Sequence, residues 1–197
     1  MKMIKIKLFM LILLILSVGC RFDRVYHNRT FRYKIKYPVG WIAVNSGHNK
    51  DAENAFKERL LKESPIKNYE NVDAGFYNPD SDPPIFEQIT ISSQQVLLNL
   101  NRLEALIPNL EDSFKLELSR TYNRVQLVNS KLENFKTGKI LRFEFFFVFD
   151  SKEYFAIYII IPGKLFATYY LNGIAESKNR VGFLNTFNDV LNTFTKY

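Results

Sequence analysis

Four β-rich runs, at residues 125–128, 139–149, 153–161 and 165–171, follow one another with short turn signals between them. The signals are Thr137-Gly138, Asp150-Ser151-Lys152 and Pro162-Gly163-Lys164. Connections this short force antiparallel neighbours, because a parallel crossover needs a dozen or more residues. In the second run Phe143, Phe145, Phe147 and Phe149 share one face, while Phe146 and Val148 occupy the other. A strand that is apolar on both faces sits in the middle of a sheet covered above and below. One cover is read directly: Phe183, Leu184, Phe187, Val190, Leu191 and Phe194 recur at helical spacing and predict a closing helix over about 176–194.

The first half adds shorter elements. Phe31, Tyr33, Ile35 and Tyr37 alternate with Arg32, Lys34 and Lys36, a half-buried strand with a cationic outer face, and residues 41–44 continue as a second strand. Asp51 is the expected cap of a helix over 52–63, with Ala52, Ala55, Phe56 and Leu60 on one side. Val72, Ala74 and Phe76 alternate, residues 78–84 read as a loop, and Ile85, Glu87, Ile89 and Ile91 line one face of the next strand. Leu103 and Leu106 open a helical turn that Pro108 interrupts, and a helix from an Asn109 cap to about 122 carries Leu110, Phe114 and Leu118. These elements make one α+β domain over 31–197, an antiparallel β-sheet sandwiched between helices.

The N-terminus has a different character. Lys2, Lys5 and Lys7 precede an apolar run over 8–16, and the segment closes on Ser17-Val18-Gly19-Cys20. This is the layout of a secretory signal, and residues 8–18 would reach only about 16 Å of a roughly 30 Å hydrocarbon layer. Cys20 is the single cysteine of the chain, so no internal disulfide is available. With Val18 and Gly19 before it, Cys20 resembles the lipidation site of a bacterial lipobox; Ser17 departs from the usual aliphatic residue there. The resemblance implies a signal peptide over 1–19, palmitate and other acyl groups on Cys20, and a lipidated polar tether over 20–30. More than one acyl chain anchors a protein stably.

Three signatures bracket the domain. They are Phe31-Arg32-Tyr33-Lys34-Ile35-Lys36-Tyr37-Pro38-Val39-Gly40-Trp41, then Lys136-Thr137-Gly138-Lys139-Ile140-Leu141, then Leu191-Asn192-Thr193-Phe194. In this order they resemble the PsbP-like fold, an α/β/α sandwich that also occurs in bacterial lipoproteins. The resemblance implies a non-catalytic binding or assembly module, and no ligand residue of that family transfers to a position here.

Chemistry sought along the chain is sparse. There is no G-x-S-x-G elbow or H-E-x-x-H pair, and His27 and His48, the only histidines, lie in polar surroundings. A hydrolase built on Glu144 and Glu153 is the third reading of function, but both carboxylates are expected at solvated strand ends, and the expectation is no enzyme. Asn78, Asp80 and Asp82 have the spacing of the first three ligands of a calcium loop. Pro83 stands where glycine would turn the chain, and Ile89 where glutamate would close the site. No cofactor is expected. The formal charge of +7 concentrates near the anchor: Arg21, Arg24, Arg29, Arg32, Lys34 and Lys36 oppose Asp23 alone, whereas residues 37–197 hold 18 basic and 19 acidic residues. That distribution argues against nucleic acid, and the basic segment suits either an anionic membrane surface or a polar tether followed by a lysine-guarded edge strand.

The leading expectation is a lipid-anchored protein of the bacterial cell envelope, partnered by the membrane and by another envelope protein. Arg21 after the cysteine, rather than Asp, points to the outer membrane. The alternative is a small-ligand or lipid-binding envelope protein using a pocket against the aromatic sheet, with Phe146, Phe147, Tyr154, Phe155, Tyr158 and Tyr169 as its rings. The oligomeric state is left open.

Overall fold

The computed structural model describes residues 24–47, 49–64, 72–96, 98–163 and 167–197. The signal segment, Cys20, Arg21 and His48 lie outside the described residues. The first elements are β1 (Val25–Asn28), β2 (Tyr33–Lys36), β3 (Ile42–Val44), α1 (Lys50–Glu63), β4 (Ala74–Tyr77) and β5 (Gln88–Gln94). After two single helical turns come α2 (Ile107–Thr121), β6 (Asn123–Phe135), β7 (Gly138–Phe149), β8 (Lys152–Pro162), β9 (Thr168–Glu176), α3 (Arg180–Thr193) and β10 (Thr195–Lys196).

The meander forms as the short turns dictate. β6 to β9 are antiparallel neighbours, and β5, β4 and β3 extend them into a seven-stranded sheet of order β3-β4-β5-β9-β8-β7-β6. Phe143, Phe145 and Phe147 face α2, where they pack with Leu118, Tyr122 and Tyr154. The opposite face packs Phe155, Ile157, Ile159 and Leu171 against Phe183, Phe187, Val190 and Leu191 of α3. The helix can lie this close because β9 carries Gly173: a Cβ there would stand 2.6 Å from the Phe187 ring.

A second, three-stranded sheet of order β1-β2-β10 completes that cover. Tyr26, Tyr33 and Ile35 point inward into the same cluster as α3. Alternation on β2 is as expected, with Tyr33 and Ile35 buried and Lys34 and Lys36 exposed. The tether, however, is shorter than 20–30: Val25–Asn28 pairs with β2 from Val25↔Lys36 to Asn28↔Tyr33, and Tyr26 is buried. The sheet exists because tyrosine side chains gain core contacts while their hydroxyls find acceptors.

Several local expectations are corrected. Asn49, not Asp51, caps α1, its side chain accepting the Ala52 amide at 3.2 Å. Pro108 starts α2 instead of interrupting a turn, since the first helical residues need no intrahelical donor. Asn109 therefore lies inside α2, where its carbonyl accepts the Ser113 hydroxyl. Ile85 does not share a cluster with Ile89 and Ile91; it packs with the α2 side. The closing helix begins at Arg180, because β9 runs on through Gly173 to Glu176.

Candidate functional site

The predicted basic residues are brought together in part. Lys34 lies between His27 of β1 and Thr195 of β10, each directly opposite it, and Lys36 lies opposite Val25. Residues opposite one another share a face, so His27, Lys34 and Lys36 form the outer surface of the small sheet. Arg29 and Arg32 stand exposed in the β1–β2 turn, with Arg32 in the left-handed region at φ 53°. Arg24 departs from the group. Its guanidinium donates to the Trp41 carbonyl at 3.1 Å, which ties the start of β1 to the main sheet.

The inner side of this sheet is fastened by polar contacts. The Tyr33 hydroxyl donates to Asp73 Oδ2 at 2.8 Å, Ser93 donates to the same oxygen, and the Tyr26 hydroxyl donates to the Asp73 carbonyl at 3.2 Å. Burial, with the Asp73 charge adding to it, pushes the Tyr33 phenol far above its ordinary range, so it stays a donor. The cationic surface therefore sits on a fixed platform.

Where this sheet ends, a cavity of about 530 Å³ opens between the β1–β2 turn, the β6–β7 turn and β10. Its walls include Phe31, Arg32, Ala167, Tyr169, Lys196 and Tyr197. Tyr169 donates through its hydroxyl to the Phe31 carbonyl at 2.9 Å, and Lys196 Nζ donates to the Pro162 carbonyl at 2.9 Å. Of the six aromatic residues proposed as pocket rings, Tyr169 alone lines this cavity. The six are divided by the sheet: Phe147, Tyr154 and Tyr158 pack toward α2, and Phe146, Phe155 and Tyr169 toward α3.

The carboxylate expectation is corrected for Glu144. It is 6% exposed, in mid-strand, and its two oxygens accept from Arg142 Nε at 2.7 Å and Arg180 at 3.3 Å. Arg142 also donates to Asn188 of α3 at 3.2 Å, and the Arg180 guanidinium lies 4.7 Å from the Phe155 ring centroid. Burial of a carboxylate requires such partners. Glu153 is exposed and lies opposite Val148, four residues further along β7, about 13 Å from Glu144 along the strand. The structure does not bring the two together. The pattern that could have revealed this cluster was Arg142-Phe143-Glu144: opposite charges two residues apart share one face of a strand that is otherwise apolar.

Asn78, Asp80 and Asp82 line a small polar cavity of about 110 Å³ together with Glu87 and Glu176. The turn is held by its own groups: Asn78 Oδ1 accepts the Asp80 amide at 3.1 Å, and the Ser81 hydroxyl accepts the Glu87 amide at 2.9 Å. Among the described residues no group of three or more His, Cys, Asp or Glu side chains is placed to hold a metal ion. Burial holds the Glu87 carboxyl above its usual range, opposed by a hydrogen bond from Asn78. His27 is exposed on β1.

No helix among the described residues is long and apolar enough to cross a membrane. No protein-family model and no curated protein matches the chain. Solved structures that resemble it in fold include the following two. One is cyanobacterial PsbP (CyanoP) from Synechocystis sp. PCC 6803, at 14% identity and a TM-score of 0.58, covering 91% of this chain and 96% of that one. The other is LpqN, described as involved in cell envelope biogenesis of Mycobacterium tuberculosis, at 12% identity and a TM-score of 0.52, covering 83% of this chain and 82% of LpqN. The architecture is thus α+β and PsbP-like.

Proposed function

We propose that this chain is a lipid-anchored cell-envelope protein that works without catalysis, as a binding or assembly module held at a membrane surface. The observation that carries the reading is the outward-facing cationic sheet, whose first strand follows Cys20 closely in the sequence. Val25, the first residue of β1, lies only five positions after Cys20, with four residues between them. Five residues span at most about 18 Å, so an acyl group on Cys20 would hold His27, Lys34 and Lys36 close to the headgroups. Each cation near an anionic leaflet contributes about 1 kcal/mol. The likeness in fold to LpqN supports an envelope role, and Arg21 after the cysteine supports the outer membrane.

Mass spectrometry of the mature N-terminus tests the anchor: an acylated Cys20 is expected, and a free thiol or a retained Met1 overturns it. Flotation of a Cys20→Ser chain tests the surface: binding should rise with anionic lipid and fall with Lys34→Ser/Lys36→Ser. Crosslinked affinity purification from envelopes tests the module reading, which predicts one reproducible envelope protein that an anchored control protein does not capture.

The cavity of about 530 Å³ favours a second reading, a small apolar or lipid ligand held beside Phe31 and Tyr169. Native mass spectrometry of the protein taken from its membrane should then show a bound small molecule, lost on Ala167→Trp.

A further inference from the structure

The seven-stranded sheet ends on one side at β3, three residues long with α1 packed beside it, and on the other at β6, thirteen residues long with α2 packed on one of its faces, where the Ser130 hydroxyl donates to Glu111. Two register shifts interrupt β6, between Asn123 and Gln126 and between Leu127 and Asn129. Beyond them the pairing with β7 is regular from Asn129↔Glu144 to Phe135↔Gly138. That leaves seven residues, about 24 Å of straight strand. Their alternate amides and carbonyls turn away from β7, and among the described residues none of these outer groups has a hydrogen-bond partner. Such an edge is a template for another strand.

The side chains select which strand. Lys131 lies directly opposite Arg142, a like-charged neighbour, and its side chain is exposed. Glu133, two residues on, shares that face and pairs with Lys131 at 2.6 Å. In an antiparallel pairing of two β6 edges about a two-fold axis at Leu132, Lys131 of each copy falls opposite Glu133 of the other. Leu132 then meets Leu132, and Ser130 meets Asn134. The cation beside Arg142 gains an acidic neighbour across the edge, and no like charges face each other. A one-residue shift places Lys131 opposite Leu132 or Asn134 instead, which loses the charge match.

We propose that β6 is a self-association edge, through which two copies of this chain join their sheets into one fourteen-stranded sheet. The interface is isologous, as two-fold pairing requires.

The full chain carrying Cys20→Ser, purified in a mild detergent, provides the test, since it has no native thiol. Sedimentation over a concentration series should show reversible dimerisation. Lys131→Glu, which sets Glu133 against a second carboxylate at both symmetric positions, should weaken it about tenfold. The swap Lys131→Glu/Glu133→Lys should restore it. Oxidation should crosslink Leu132→Cys but not Ser130→Cys, while Ser130→Cys/Asn134→Cys should crosslink again. The cysteine series reads the register without altering charge, so it decides the matter even where a charge variant fails to fold. A monomer at every concentration, a Lys131→Glu chain that associates as tightly as the parent, or equal crosslinking by Leu132→Cys and Ser130→Cys would each overturn the proposal.

Discussion

The two faces of the seven-stranded sheet are closed by different means. On the α2 side the buried contacts are mainly rings: Phe114 stacks on Tyr158 at 4.9 Å and tilts against Phe143 at 5.1 Å, Tyr122 stacks on Phe147 at 4.0 Å, and one polar tie, from the Ser130 hydroxyl to Glu111, lies at the rim. On the other side the cover has two pieces, α3 and the small sheet, and both are pinned by polar groups. Glu144 with Arg142 and Arg180 holds α3, and Asp73 with Tyr26 and Tyr33 holds the small sheet. Ring packing tolerates many arrangements of similar volume, whereas a buried ion pair or a tyrosine–carboxylate bond is satisfied in few. The face whose exterior carries the cations and the groove is thus the one fastened through a buried ion cluster.

Substitutions can break this contrast. Phe143→Ala on the α2 side and Phe187→Ala on the α3 side should each cost about 3–5 kcal/mol in urea unfolding, because both rings are fully buried. These large losses should be alike on the two faces. Next comes Glu144→Leu, which removes the nearest carboxylate from buried Arg142 and leaves it only Asn188 and the more distant Glu133 at 4.0 Å, and should cost about 3 kcal/mol; Arg142→Met/Glu144→Leu should recover most of it. A polar substitution of that size has no counterpart among the ring contacts on the α2 side. Tyr33→Phe keeps the ring and removes the bond to Asp73, and should cost about 1 kcal/mol. Flotation on anionic vesicles should weaken in parallel if the small sheet loosens.

The smallest effects are those of pH. Glu53, in α1, is pushed up by burial, but hydrogen bonds from Lys57 and the Asn45 amide outweigh this and hold its carboxyl below the usual range. Its contribution is present above the unfolded carboxylate pKa and is lost as pH falls through the lower folded value. Glu87 runs the other way. The folded chain keeps its proton where the unfolded chain has released it, so stability falls as pH rises through that window. Denaturation between pH 3 and 7 should show Glu53→Gln flattening the acid limb, while Glu87→Gln gains stability near neutrality.

The meander, both helices that sandwich it and the outward lysines of β2 were legible because each rests on a repeat of apolar residues long enough to count. What stayed hidden rests on few residues or on partners distant in the chain. β1 and β10 are four and two residues long and mostly polar, and their pairing is rewarded only when β2 is already in place between them. The burial of Glu144 depends on Arg180, 36 residues away. Within the candidate site, Lys34 and Lys36 were readable from alternation, but the cavity at Tyr169 is made by five separate segments and leaves no local pattern.

One arrangement has a mechanical consequence. β2 holds β1 on one side and β10 on the other, and Lys36 N–H donates to Thr193 Oγ1 at 2.8 Å at the end of α3. A pull applied ahead of Arg24 therefore reaches the backbone bonds of β1 and β2, and through them the last helix. Tension on β1 would be borne by both ends of the fold at once, so the strand that leads into the domain is also the clasp that keeps it shut.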